Sequence, residues 1–359
     1  MFNGVRAAIA DMVRQDIKEL DFNELKAVLR DMGEPAYRAG QVACWLYKKD
    51  ASGFEEMTDL GRTLRQKLAG RFALSWPELA QRLRSRDGAE KFLLRLGDGR
   101  FIETVLICGP GRVTVCLSTQ VGCRFACPFC ASGSSGFSRN LAAAEIVNQL
   151  LFVRRTLGRP VSHAVFMGMG EPLDNFESVS RAIGLLNAPQ GVGLAARRIT
   201  VSTCGLVPGI AKLMKLGLQV ELSVSLHAAS DDLRNRLVPV NKKYPLPKLI
   251  PALREFSRET GRQVTFEYAL VGGVNDSLEE ADRLAELARR AGAKVNLIPL
   301  SPTGRPGFEP TARPTAAAFL RRLEERRVRA TLRRSKGQDI QAACGQLSLV
   351  TDMQLPKYE

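Results

Sequence analysis

The sequence predicts an α/β protein: an open, partial (βα)6 barrel preceded by a small N-terminal helical domain and a β-hairpin extension. Three observations lead there. Apolar residues keep a helical period through roughly the first 75 positions, and a D-G turn between two apolar runs marks a hairpin just after them. From Val113 onward six strand-like runs alternate with helical ones, the pattern of parallel strands joined by helical crossovers.

In the N-terminal part, Asp21 is placed to cap a helix running through Arg30, with Leu20, Phe22, Leu25, Val28 and Leu29 near helical spacing. Gly33-Glu34-Pro35 ends it. A second helix is expected over Ala36 to Lys48 and a third over Phe54 to Leu68. Tyr37, Arg38, Trp45, Tyr47, Lys48 and Lys49 mix aromatic and basic side chains as an RNA-contacting face does, although Trp45 better suits packing within the bundle. Lys91 to Leu96, the Asp98-Gly99 turn and Phe101 to Ile107 make the hairpin, and Pro110-Gly111 turns the chain into Val113 to Leu117.

The barrel strands are expected at Val113 to Leu117, His163 to Met167, Arg198 to Ser202, Gln219 to Leu226, Gln263 to Leu270 and Lys294 to Leu300. Helices are expected at Ala142 to Leu157, Phe176 to Leu186, Pro208 to Leu216, Leu246 to Glu259 and Leu278 to Ala291. Residues 1–100 then form a helical, RNA-binding accessory domain plus hairpin, 101–350 the barrel with a cysteine-bearing C-terminal segment, and 351–359 a tail. In such folds ligands sit at the carboxyl ends of the strands.

A chain of 359 residues, 45% of them hydrophobic, is long enough for a full core plus a smaller domain. No apolar run approaches the ~18 residues of a membrane span. Met1 to Asp21 mixes acids and bases without an apolar h-region, so a cytoplasmic protein without membrane attachment is expected. The formal charge of +15 suits a polyanionic partner, nucleic acid first, unless it is only a solvated basic surface. Nothing in the sequence suggests an obligate dimer, so a monomer is expected. Eight cysteines in such a chain point to metal or catalytic thiols.

Cys123, Cys127 and Cys130 stand in a C-x3-C-x2-C run on a short loop after the first barrel strand. Three thiolates this close can hold one metal centre. With a distant fourth ligand they would make a zinc loop; without one they can carry an iron–sulfur cluster that leaves an iron open. Polar residues at the other strand ends would face the same place: Gly170 and Glu171 in Gly168-Met169-Gly170-Glu171-Pro172, Ser202, the Ser225-Leu226-His227 stretch, and Asn296. Each alone is ordinary; their common position makes a site.

Four stretches together resemble the RlmN/Cfr family of radical S-adenosylmethionine (SAM) enzymes. They are Cys116 to Cys123, Met167 to Pro172, Ser223 to Ala228, and Asp339-Ile340-Gln341-Ala342-Ala343-Cys344-Gly345-Gln346-Leu347, with Phe129 before the last cluster cysteine. The resemblance covers about residues 20 to 350 and implies a radical SAM barrel. It further implies a [4Fe–4S] cluster on Cys123, Cys127 and Cys130, with SAM chelating the open iron through its amine and carboxylate and splitting there to a deoxyadenosyl radical. Gly170, Glu171, Ser202, Ser225, Leu226, His227 and Asn296 match the family's SAM-binding positions, and Glu103 matches a proton acceptor. Members methylate an adenine of 23S rRNA, and some also tRNA, using two SAM per turnover and an electron donor such as a flavodoxin-type reductant. One SAM methylates the Cys344 thiolate, the second generates the radical that activates that methyl group for addition to the base, and Cys116 helps release the RNA by closing a disulfide with Cys344. A mobile Cys344 segment is expected.

The resemblance favours the C2 carbon of adenine; the rival within the family is C8, as in the Cfr branch. A rival of another class is a cysteine-ligated, metal-containing RNA-binding module without turnover. Arg321, Arg322, Arg326, Arg327, Arg329, Arg333, Arg334 and Lys336 lead into the Cys344 stretch and are expected to hold phosphates. Cys44, Cys108 and Cys204 read as packing residues.

Overall fold

The computed structural model describes residues 14–134, 136–302, 307–333 and 335–347. Residues 303–306, Arg334 of the basic run and the tail 351–359 lie outside the described residues. Three helices open the chain: α1 (Phe22–Asp31), α2 (Tyr37–Tyr47) and α3 (Arg62–Arg71). Asp21 caps α1 as expected, accepting from the Asn23 and Glu24 amides while Glu24 reaches back to the Asp21 N–H.

The third helix differs from expectation. Phe54 begins only a 3-10 turn, Phe54–Glu56, and the chain re-enters helix after Gly61. Met57 and Leu60 are buried in between. Their spacing mimics a continuous helical stripe, but they anchor a loop.

The central sheet has ten strands: β1 (Glu78–Arg84), β2 (Glu90–Arg95), β3 (Phe101–Gly109), β4 (Arg112–Cys116), β7 (His163–Phe166), β8 (Ile199–Thr203), β9 (Glu221–Ser225), β10 (Thr265–Leu270), β11 (Lys294–Pro299) and β12 (Ala330–Leu332), adjacent in that order. β1 to β4 form an antiparallel meander, and from β4 onward every neighbour is parallel. All six expected barrel strands are present. β12 adds a seventh parallel strand, too short and too deep in a basic run to be read from its pattern. β1 was also missed, because its side chains are exposed or half-buried and show no alternation.

Helices α5 (Ala143–Leu157), α6 (Phe176–Asn187), α7 (Val207–Met214), α9 (Leu246–Thr260), α10 (Leu278–Ala291) and α11 (Arg313–Glu325) cover the outer face, with short α4 (Ala131–Ser134) and α8 (Asp231–Leu237) between strands. The two-residue strand period does the sorting. On β8, β9 and β10 the residues Ile199, Val201, Leu222, Val224, Phe266, Tyr268 and Leu270 enter the helix-facing core. Ser202, Ser225, Glu267 and Ala269 face inward.

A separate two-stranded ribbon, β5 (Gln120–Gly122) with β6 (Phe137–Asn140), brackets the cysteine loop. Gly122 is obligatory there: its φ is 78°, and a Cβ would lie 1.8 Å from the Gly136 carbonyl oxygen. The N-terminal helices dock on the barrel through the Arg154–Asp50 ion pair and Lys48, which donates to the Val192 carbonyl at 3.1 Å. Trp45 lies at the edge of the core, donating to Asp59 and stacked under Lys49; Tyr37 is exposed and Tyr47 buried. Among the described residues no helix is long and apolar enough to cross a membrane.

Candidate active site

The strand ends enclose a cavity of ≈ 180 Å³ lined by residues from every barrel strand from β7 to β11, by the cysteine loop and by the Cys344 segment. The cysteine loop leaves β5 at Gly122, is tied by Cys123 N–H to the Gly136 carbonyl (2.8 Å), and closes in a turn with Cys130 N–H on Cys127 O (3.0 Å). Cys123, Cys127 and Cys130 all line the cavity as free thiols. Burial first, then their mutual repulsion and nearby acids, pushes the Cys123 thiol up to about 12 and Cys127 up as well. Among the described residues no three His, Cys, Asp or Glu side chains close on a single ion. Phe129 anchors the loop from beneath, edge-on to His227 with ring centroids 5.0 Å apart.

Across from this loop, Gly170 lets the chain pass within Cβ-clash distance of Gln120 at φ 93°. Glu171 follows, buried on the cavity wall, its Oε1 accepting Leu173 N–H at 3.0 Å and its Oε2 accepting Cys204 N–H at 2.7 Å. Burial raises this carboxyl, and the two amide donors oppose the rise. Glu171 therefore staples the β7 loop to the β8 loop, with the Thr203 and Cys204 side chains also hydrogen-bonded to its carboxylate. Ser202, Ser225 and His227 also line the cavity. His227 has φ 57°, and its Nδ1 accepts Ala269 N–H at 3.0 Å. Burial lowers its pKa to about 3, so the ring is neutral and keeps Nε2–H as a donor.

Two expected SAM-binding residues do not line the cavity. Leu226 is core: its N–H donates to the Glu267 carbonyl at 3.0 Å and its carbonyl accepts Arg234 Nε–H at 3.1 Å. Asn296 donates its amide to Glu267 Oε1 at 3.2 Å. Cys204, read from sequence as packing, stands on the cavity wall beside Glu171.

Cys344 is exposed to the cavity. The crowding walls raise its thiol pKa, while Arg333, also on the wall, lowers it. Its segment is clamped on both flanks. Gly345 and Leu347 carbonyls accept Ala131 N–H (2.7 Å) and the Ser132 hydroxyl (2.6 Å) from just beyond the cysteine loop. On the other side Asp339 accepts the Ser85 hydroxyl (2.6 Å) and Arg86 N–H (3.1 Å), and Gly337 N–H donates to Asp87 (2.8 Å). The segment expected to be mobile is thus fastened both to the β1–β2 turn and to the cysteine loop.

Cys116, at the end of β4, is buried behind the cavity among Val165, Met169, Ala342 and Leu347. Burial, then Cys344, pushes its thiol up to about 12. The disulfide expected between Cys116 and Cys344 is not present: both thiols are free. Glu103 does not reach the cavity wall. It is fully buried on β3 in an ion pair with Lys91 (2.9 Å), and Lys91 also donates to the Gln341 carbonyl (3.2 Å). Of the basic run, Arg322 and Arg326 are taken up by Asp282 on α10.

Sequence reasoning missed Glu267 and the inward placement of Arg333. A lone acid inside the buried, apolar strand Thr265–Leu270 was the available signal.

Comparison with known proteins accords with this architecture. The profile of the Radical SAM superfamily matches residues 117–288, and that of the ribosomal RNA large subunit methyltransferase N-terminal domain matches residues 15–74. A protein of Gemmatimonas aurantiaca described as a probable dual-specificity RNA methyltransferase RlmN is 48% identical over 340 residues, covering 93% of both chains. Its namesake from Moorella thermoacetica is 46% identical, covering 93% of this chain and 97% of its own. The crystal structure of a radical SAM methyltransferase from Sphaerobacter thermophilus superposes with a TM-score of 0.89 at 46% identity, covering 93% of this chain and 99% of its own. The chain belongs to the RlmN family of radical SAM methyltransferases.

Proposed function

We propose that this protein methylates adenine in 23S rRNA, and in tRNA, at C2, with Cys344 as the methyl-carrying thiol. One observation carries the reading: Cys344 faces the same cavity as Cys123, Cys127 and Cys130. The donor set fits a [4Fe–4S] cluster, because cysteine thiolates are the ligands such a cluster takes and Cys123, Cys127 and Cys130 all line this cavity. SAM bound at such a cluster supplies one-electron, hydrogen-abstracting chemistry, which an electron-poor ring carbon requires because it is no nucleophile.

The chain's own residues do the rest. Glu171 and Gly170 frame the cavity opposite the cluster loop and offer an acceptor to an ammonium. Ser202, Ser225 and the neutral His227 line the path for the adenosyl part. The Cys344 thiol must lose its proton to accept a methyl group, and the Arg333 charge favours that loss against the opposing effect of enclosure. Cys116 stands behind as the second thiol, and Glu103 one strand further out as a carboxylate poised by Lys91. Surface arginines outside the Asp282 pairs, such as Arg321 and Arg329, hold the RNA backbone.

The test is mass spectrometry of nucleosides from rRNA and tRNA incubated with protein reconstituted anaerobically with iron, sulfide, SAM and a reductant. It should yield 2-methyladenosine. The rival product, 8-methyladenosine, would move the assignment to C8, and a colourless zinc-bearing protein yielding neither would mean a binding module.

A further inference from the structure

β10 carries one ionisable residue on its inward face, Glu267, which lines the cavity at 5% exposure. Carboxylates seldom sit this deep unless paired. One oxygen is occupied: Oε1 accepts the Ser223 hydroxyl at 3.0 Å and the Asn296 amide at 3.2 Å. Oε2 is buried and meets no hydrogen-bond donor among the described residues. Burial raises this carboxyl, and Arg333 on the cavity wall, then Ser223 and Asn296, pull it back toward the charged, accepting form.

Register sharpens the point. Glu267 is the partner of Ser225 on β9 and of Asn296 on β11, so three polar residues stand side by side across three strands. Asn296 does not touch the cavity itself; it acts on whatever fills the cavity through Glu267. Two residues further along the strands, Ala269 and Ile298, with Leu300, give the cavity an apolar rim. A flat base suits that rim. A hydroxyl-bearing sugar suits the floor of Ser202, Ser225 and Glu267.

We infer that Glu267 is a ligand-binding residue whose free oxygen accepts a hydrogen bond from a ribose hydroxyl of the adenosyl cofactor, held in place by Ser223 and Asn296. This rests on the cofactor reading given above. A ribose of the RNA's own target adenosine offers the same donor, and the test separates the two.

Equilibrium binding of SAM and of its 2'-deoxy and 3'-deoxy analogues is measured on the cluster-loaded protein without RNA or reductant, for wild type and Glu267→Gln. Gln keeps the shape but turns an amide donor toward the position of Oε2. Wild type should bind one of the deoxy analogues about tenfold more weakly than SAM. Glu267→Gln should bind SAM about tenfold more weakly and no longer distinguish that analogue from SAM. Unliganded Glu267→Gln should melt no lower than unliganded wild type, since it removes a buried, half-satisfied carboxylate. Wild type binding both deoxy analogues as tightly as SAM overturns the inference, and needs no variant to show it. So does Glu267→Gln that leaves SAM affinity intact; if a separate titration with RNA then shows weaker binding, the residue belongs to the target adenosine. Failure of wild type to bind SAM at all would remove the cofactor reading together with the inference; binding without a deoxy penalty removes the inference alone.

Discussion

Lys91 and Glu103 form an ion pair with essentially no access to water, and Lys91 spends a further donor on the Gln341 carbonyl three residues before Cys344. Removing one partner of a buried pair leaves a charge that solvent cannot reach. Lys91→Ala is therefore expected to cost about 3 kcal/mol in denaturant unfolding; a loss below about 1 kcal/mol would mean that the charge is compensated elsewhere. His227 makes a pH prediction. Its folded pKa is depressed, so below about 6.5 the unfolded chain takes up a proton that the folded one refuses until about 3. Its contribution is therefore complete above that range and lost as pH falls, at about 1.4 kcal/mol per pH unit. Between pH 6.5 and 5, cluster-free wild type should lose about 2 kcal/mol more stability than His227→Gln. Parallel curves would show that the ring is not held neutral. That Ser202, Ser225 and Glu171 line one cavity was legible from their common place at strand tips. Glu267 was not, because it works from mid-strand, where a single sequence gives no reason to look for a ligand.

The elements that matter most are those carrying cysteines. Gly122 lets β5 pass under the Gly136 carbonyl and so sets the entry angle of the cluster loop. Gly122→Ala should fold, since most of the core is remote, but should retain less than half the iron and sulfide of wild type after anaerobic reconstitution; full loading would show that the loop absorbs the clash. The Cys344 segment is secured to the β1–β2 turn by Asp339. Asp339→Ala should speed alkylation of Cys344 several-fold while costing only about 1–2 kcal/mol of stability. An unchanged rate would place the restraint in the Ala131 and Ser132 contacts instead. Helix α1 and the Asp98-Gly99 hairpin were readable because caps and tight turns are local chemistry. The break between Phe54 and Gly61 was hidden because buried loop residues kept a helical spacing, and the clamp on Cys344 was hidden because its partners lie some 250 positions away in sequence.

At the scale of the whole molecule, one sheet runs from the antiparallel meander into the parallel barrel without interruption, so the turn that holds Asp339 and the strands that build the cavity form one mechanical unit. The alternation of strands and helices made that barrel predictable; its seventh strand and its inward polar face are tertiary facts. The +15 charge acts at the same scale. RNA affinity should fall steeply with salt, and reversing the exposed Arg321 and Arg329 together should weaken binding and make the log–log slope shallower by about 1 to 2. An unchanged slope would mean that RNA docks on another face. The central claim is that the methyl-carrying thiol shares a cavity with the cluster thiols. It is tested most directly by supplying the reconstituted protein with SAM bearing a deuterated methyl group, adding RNA, and mapping the label by peptide and nucleoside mass spectrometry. The label should appear on the Cys344 sulfur and then on adenine, with both signals lost in Cys344→Ala; labelled adenine formed by Cys344→Ala at the wild-type rate would contradict the account.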